Sequence, residues 1–308
     1  MTARWAVFVV ALVGLLAACT TNREPDLPPS SDPAAIAERV TGPDGPAFLQ
    51  DIVAASWDDG GARAGELFAW IPRDAHSDDP AVAARAGQTA HVIAAFLADE
   101  RDTITDTPDN PALWRSFTDS LIPYQGALVG DDQGIADFAP LEGPESQMRR
   151  TASLFATMTK DSTADRAWAD AANAKAQTYE EAFAKAAVTE PLQADTGDAQ
   201  QALLQAARLR SLVATGDRLV NPDAPRPVPT YAETVVMYRV ASLTARDDDP
   251  HINDEFFRNG SLLPPNEIPE EDLSIYRAQL RVYLVPWPQI NAAIDQFAST
   301  YSLIADGQ

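Results

Sequence analysis

The sequence predicts an all-α protein, a multi-helix bundle or irregular helical array of about nine or ten helices with no significant sheet. Three observations lead to this expectation. Alanine is abundant and β-branched runs are scarce, apolar side chains recur at spacings of three and four residues, and no segment alternates with a period of two between hairpin turns. The Asn259-Gly260 pair lacks alternating flanks, so it does not by itself predict a hairpin.

Helix start signals and apolar stripes predict the individual helices. Asp58 and Asp59 are placed to cap a helix that ends at Pro72, Asp79-Pro80 begins the next helix, and Asn110-Pro111 begins another. Further helices are expected over residues 145–160, 163–188, 198–215 and 230–246. Two C-terminal helices carry the stripes Leu273, Tyr276, Leu280, Leu284 and Ile290, Ile294, Phe297, Tyr301, Ile304.

The first eighteen residues have the composition of a secretory signal. Arg4 precedes an apolar run from Trp5 to Leu16, which is shorter than the roughly 20 residues that a membrane span needs. The segment Leu16-Ala17-Ala18-Cys19 resembles the lipobox of bacterial lipoproteins. In that family a diacylglycerol group is attached to the cysteine, a peptidase cuts before it, and the new amine is usually acylated. The resemblance implies a cleaved signal at 1–18 and an exported chain, lipid-anchored at Cys19 to the outer face of the cell membrane.

The alternative is an ordinary cleaved signal that is followed by a chance cysteine. Cys19 is the only cysteine of the chain, and it lies at the one position where lipidation requires it. Two or three acyl chains anchor a protein stably, whereas one chain binds only marginally. Lipidation would leave no free thiol, so disulfides, thiolate metal sites and cysteine nucleophiles are not expected.

Proline content divides the mature chain into a tether and a body. Residues 19–46 are rich in proline and are expected to form a mostly extended spacer, with a short helical turn near residues 34–40 as the alternative. Residues 47–308 are expected to form one acidic all-helical domain. A proline-rich link near 220–230 is the best candidate for an internal boundary.

The charge balance excludes nucleic acid as a partner. The chain has 45 acidic and 23 basic side chains, and removal of the signal would take away Arg4 and change the net charge from −22 to −23. Such a surface repels phosphates and anionic headgroups, so contact with the bilayer is expected to come from acylated Cys19. The same charge favours cationic partners, although solubility is its simplest explanation.

No catalytic constellation is recognisable, and neither an enzyme nor a cofactor is predicted. The nucleophile elbow, phosphate loop, dinucleotide fingerprint and zinc-protease motifs are absent, and only His76, His91 and His251 supply imidazoles. One polar cluster has oxygen and nitrogen ligands of the kind that bind calcium or a harder transition metal: Asp247, Asp249, His251, Asp254 and Glu255. Its spacing departs from an EF-hand loop, and helix capping explains it equally well.

Four segments near the start of the body carry a family resemblance: Phe48-Leu49-Gln50-Asp51-Ile52, Trp57-Asp58-Asp59-Gly60-Gly61, Leu67-Phe68-Ala69-Trp70-Ile71 and Ala84-Arg85-Ala86-Gly87-Gln88-Thr89-Ala90. Together they resemble a helical module of actinobacterial, chiefly mycobacterial, exported proteins that are labelled as containing a TPR repeat region. Many of those proteins accompany the type VII secretion system or carry toxin domains. The resemblance implies an all-helical fold and an envelope setting, and it supplies no catalytic residues.

These observations predict a membrane-anchored envelope protein that acts as an interaction or scaffold module for an unknown protein partner, such as a secretion component or a secreted effector. Three alternatives remain open. The chain would be a carrier of an apolar, lipid-like ligand if its helices enclose a dry pocket, a metal-dependent enzyme if the acidic cluster binds a metal, or an immunity protein against a toxin that acts in the envelope.

Overall fold

The computed structural model describes residues 24–131 and 133–307, and there it confirms the all-α array. The α-helices are α1 Pro33–Thr41, α2 Gly45–Ala54, α3 Ala62–Glu66, α4 Ile71–Asp74, α5 Pro80–Asp99, α6 Arg101–Thr105, α7 Pro111–Leu121, α8 Gln125–Leu128, α9 Arg149–Met158, α10 Ser162–Thr189, α11 Gly197–Val220, α12 Thr230–Ala241, α13 Leu273–Tyr283 and α14 Pro288–Asp306. Short 3-10 helices lie at Ile122–Tyr124, Pro191–Gln193, Asp254–Phe256 and Pro265–Glu267. Strands β1 Phe257–Arg258 and β2 Ser261–Leu262 pair antiparallel.

Aspartate side chains begin three of the helices. Asp79 caps α5 and accepts a hydrogen bond from the backbone N of Ala81 at 2.9 Å, as its position before Pro80 predicts. Asp161 caps α10 in the same way, accepting from the backbone N of Ala164 at 2.9 Å. These carboxylates satisfy backbone donors that have no partner inside the helix, so they fix where each helix starts.

The predicted apolar stripes form the core. All five stripe residues of α14 are buried. The apolar stripe of the helix predicted over 163–188 is also buried in α10, and it consists of Trp168, Ala172, Ala176, Tyr179, Phe183 and Ala187. A single cluster of buried apolar side chains extends from Ile36 in α1 to Ile304 in α14. The proline-rich link at 221–229 therefore joins helices of the same core.

The C-terminal half is built around the two longest helices. α10 and α11 pack against each other along their length, and α11 also packs against α9 and α14. α12 packs against this layer, in contact with α10, α13 and α14. It thus brings residues near position 235 beside residues near position 180, which are far apart in sequence.

The N-terminal spacer is shorter than the sequence predicts. Within residues 19–46, α1 forms with Asp32 as its cap, and it buries Ile36 and Val40 completely. Further upstream, Leu27 packs against the core, and the Glu24 carboxylate accepts two hydrogen bonds at 2.9 Å from Nη2 of Arg63. Proline is well tolerated in the first turn of a helix, which explains why Pro33 starts α1 instead of excluding it.

The segment around residues 58–72 also differs from the predicted single helix. Gly60 and Gly61 have φ values of 65° and 84°, a left-handed conformation that glycine adopts at little cost, so the chain turns here before α3. α3 has only five residues. Pro72 then lies in the first turn of α4, so it helps to begin a helix and does not end one.

A small hairpin forms at Asn259-Gly260. The two residues have φ values of 53° and 76°, as a two-residue hairpin loop requires. Each flanking strand has only two residues, which explains why no alternation was visible in the sequence.

Of the described helices, only α5 is long and apolar enough by length and composition to cross a membrane. In the structure it is a core helix, because Ala86, Ala90 and Ile93 are completely buried against its neighbours.

Candidate functional site

The lipidation site that the sequence predicts, Cys19, lies outside the described residues. Within them, no three His, Cys, Asp or Glu side chains converge in a way that would hold a metal ion. In the predicted acidic cluster, Asp249 accepts from the backbone N of His251 at 2.9 Å and lies 3.1 Å from His251 Nδ1. Glu255 accepts from Asn253 Nδ2 at 2.9 Å. These local contacts shape an exposed loop, and Asp247 and Asp254 remain exposed beside it.

The ring nitrogens of the other two histidines contact backbone carbonyl oxygens of one loop. His91 Nδ1 donates to the carbonyl oxygen of Ala139 at 2.7 Å, and its ring meets Phe138 edge-on. His76 Nδ1 lies 3.3 Å from the carbonyl oxygen of Gly134. Both imidazoles therefore stabilise the loop that crosses α5.

The structure presents a different candidate site, a groove between α10 and α12. It consists of two adjoining clefts of about 470 Å³ and 220 Å³, which share Tyr238 and Arg239 on α12. α10 forms one wall of the groove, with Glu181 and Lys185 in the smaller cleft. The loop Pro264-Pro265-Asn266 closes the end of the larger cleft. We call this feature the α10–α12 groove.

A buried carboxylate fixes the arginines of the groove. Glu180 is completely buried and accepts from Arg210 Nε at 2.9 Å, Arg210 Nη2 at 3.2 Å and Arg239 Nε at 2.8 Å. Arg210 Nη1 also donates to Asn173 Oδ1 at 2.7 Å. Hydrogen bonds between ionised groups are shorter and stronger than neutral ones, so both guanidinium groups are held in fixed orientations. Each still reaches the larger cleft.

A second buried carboxylate fixes α12 from its other side. Glu233 accepts from Arg277 Nη2 at 2.6 Å and from Arg281 Nη2 at 2.8 Å, both on α13. Nearby, burial raises the pKa of the Tyr276 phenol, which keeps its proton and donates it to the carbonyl oxygen of Leu263 at 2.5 Å. This bond supports the loop that closes the groove. The groove is thus a rigid feature on well-packed helices.

Aromatic and cationic side chains line the groove together. Tyr231 and Tyr238 line it on α12, with 48% of Tyr231 exposed, and Val235 lies between them. Tyrosine and arginine are enriched among the residues that dominate binding energy at protein interfaces. Among its described lining residues, the larger cleft has no histidine, cysteine or serine.

Three other clefts of the described residues do not combine tyrosine with arginine in this way. A cleft of about 760 Å³ lies between residues 26–29 and α1. Its single arginine, Arg39, stacks over the Phe48 ring, and Asp26, Glu38 and Asp44 also line it. A cleft of about 460 Å³ at the α10–α11 turn contains Glu190 and Asp198 beside Lys185. All of these clefts include charged side chains, unlike the dry apolar pocket that a lipid carrier needs.

Sequence reasoning did not find the groove. Lys185, Arg210 and Arg239 lie on three different helices with no shared motif. The one available signal was Glu180, which occupies a position next to the apolar stripe residue Tyr179, where a carboxylate needs a cationic partner. No family model, no curated protein and no solved structure matches this chain.

Proposed function

We propose that this chain is a lipoprotein of the bacterial cell envelope whose helical body binds another protein through the α10–α12 groove. In this proposal the signal at residues 1–18 directs export, and acylated Cys19 holds the body on the outer face of the cell membrane. The partner is an exported or secreted protein, such as a component of a secretion system or one of its effectors, as the resemblance of residues 48–97 implies.

The observation that carries the docking part of the proposal is the composition of the groove. Two tyrosines and two arginines with fixed orientations line one continuous concave surface on rigid helices. Side chains that are ordered before binding lose little conformational entropy when a partner docks, so such a surface binds more tightly than a mobile one of the same area.

The anchoring part rests on the sequence of residues 1–19, and the start of the body supports a close approach to the membrane. Glu24 is held by Arg63, and it lies only five positions after Cys19 in the sequence. An extended chain covers at most about 3.6 Å per residue, so the lipid would lie within about 18 Å of Glu24. In this proposal the helical body therefore binds its partner close to the bilayer surface.

Site-specific photo-crosslinking in intact cells tests the docking proposal. Tyr231 is replaced by a photoreactive phenylalanine analogue of similar shape, and Leu303 on α14, which is 41% exposed, is replaced in a matched control. We expect a crosslinked adduct with one envelope or secreted protein from position 231 and none from position 303. An absence of adducts at position 231, or the same adduct from both positions, would contradict the proposal.

A further inference from the structure

The α10–α12 groove has the opposite charge sign to the chain that contains it. Lys185, Arg210 and Arg239 line it, against the buried Glu180 and the rim carboxylate Glu181. These five groups have a formal charge of +1, whereas the whole chain has a net charge of −22. Fields focus in clefts with low-dielectric walls, so the groove attracts a ligand that the surrounding surface repels.

Two of these cations, Arg239 and Lys185, have donor groups that are not bound to an acceptor among the described residues. Arg239 uses Nε for Glu180 and makes only a longer bond of 3.3 Å from Nη1 to Glu181, and among the described residues no acceptor is bound to its Nη2. Lys185 is exposed, and its ammonium group forms no ion pair with a described residue. A guanidinium group presents donors in a planar fork that matches a carboxylate.

The length of the groove indicates a polypeptide rather than a small anion. The lining residues of α12 and of the turn that follows it run from Tyr231 to Leu243, which corresponds to at most about 18 Å at the helical rise per residue. Cations lie at both ends, Arg210 near the Pro264–Asn266 loop and Lys185 near Leu243, with Arg239 between them. Tyrosine rings and Val235 supply apolar contact along the same line.

We infer that the α10–α12 groove recognises an acidic segment of a protein partner, with a carboxylate on Arg239 and apolar side chains between the tyrosines. The inference rests on the proposed docking function and names the chemistry of its partner. It opposes the preference for basic partners that the overall charge implies, so the two expectations are separable by experiment.

Selection from a random library of displayed peptides of about 12 residues, a length that covers the groove as a helix, tests the inference on the lipid-free mature chain. We expect the selected peptides to be enriched in Asp and Glu. Their affinity should fall about tenfold when NaCl is raised from about 0.05 M to about 0.5 M, because salt screens exposed charges. Selected pools that are neutral or basic, or a selection that enriches no binder, would overturn the inference.

Two lysine variants locate the site. Lys185→Gln should weaken binding of the selected peptides about two- to fivefold, as expected for loss of one exposed ion pair. Lys175→Gln changes the net charge equally, but Lys175 lines neither cleft of the groove and its Nζ lies 3.6 Å from Asp131, so this variant should leave the affinity unchanged. Equal effects of the two variants would place the peptide elsewhere and overturn the inference.

Failure of this inference is distinguishable from failure of the docking proposal. If the adduct from position 231 forms in cells but its crosslinked segment is neutral or basic, the groove docks a partner and the acidic specificity is wrong. If no adduct forms at all, the docking proposal itself fails.

Discussion

Replacement of the buried carboxylate under the groove, Glu180→Gln, should destabilise the protein strongly. The change keeps the size of the side chain but removes the charge that accepts three hydrogen bonds from Arg210 and Arg239. Loss of one partner of a buried ion pair costs about 3–5 kcal/mol. The arginine side chains are 22% and 17% exposed and recover some hydration, which places the expected loss near the lower limit, about 3 kcal/mol.

Glu233→Gln is a matched control for this prediction. Glu233 is also buried on a helix, but it accepts one hydrogen bond from each of two arginines that are 38% and 37% exposed. Because these arginines are better hydrated, we expect a smaller loss, about 1.5–2 kcal/mol. The helix-propensity change is the same in both variants and cancels from the comparison.

Urea unfolding of the lipid-free mature chain, followed by circular dichroism, measures both effects. We expect both midpoints to fall with an unchanged denaturant slope, and the Glu180→Gln midpoint to fall further, by a difference of about 1 kcal/mol in unfolding free energy. Equal losses, a larger loss for Glu233→Gln, or losses below about 1 kcal/mol for both would refute the view that burial of the carboxylate and of its partners decides the cost.

Two further changes test packing and electrostatics away from the groove. Gly87→Ala should lower the unfolding free energy measured in urea by about 2 kcal/mol or more, because an added Cβ would lie 1.9 Å from the carbonyl oxygen of Ala136. The control Gly143→Ala has open space around it and should change the unfolding free energy by less than about 0.5 kcal/mol. Equal effects of the two variants would contradict the close packing of that loop on α5. Burial raises the folded-state pKa of Asp165, and the nearby Asp217 carboxylate raises it further, so ionised Asp165 destabilises the fold at neutral pH. Asp165→Asn should therefore raise the unfolding free energy at pH 7 by about a few tenths of a kcal/mol. This stabilisation should disappear as the pH falls below the ordinary aspartate pKa, because Asp165 is then protonated in both the folded and the unfolded state. Stabilisation that persists at such a pH would contradict the electrostatic cause.

Local chemistry predicted the helices well because their signals lie within one or two turns. The Asp79-Pro80 start and the α14 stripe from Ile290 to Ile304 both appear in the structure where the sequence indicates. The predicted helix boundaries were wrong where a residue type can either end a helix or begin one. Pro33 and Pro72 were taken as helix breakers, but each lies in the first turn of a helix, where its missing N–H costs nothing.

The candidate site was not predictable from the sequence alone because it depends on which helices become neighbours. Lys185, Arg210 and Arg239 are each ordinary cations on separate helices, and only the packing of α12 beside α10 brings them to one groove. Conversely, the acidic cluster at residues 247–255 is prominent in the sequence, but Asp249 and Glu255 make only local contacts within an exposed loop. Proximity in sequence is a weak guide to proximity in space for polar side chains.

The envelope location underlies every functional proposal for this chain, and the mass of its N-terminal peptide tests that location most directly. The protein is purified from the membranes of cells that produce the full chain, digested, and analysed by mass spectrometry. The proposal predicts a peptide that begins at Cys19 and carries a diacylglycerol group, and its loss from the membrane fraction in Cys19→Ala. An unmodified Cys19 would contradict the proposed location. A Cys19→Ala protein that stays in the membrane fraction and whose N-terminus is processed as in the unchanged protein would also contradict it.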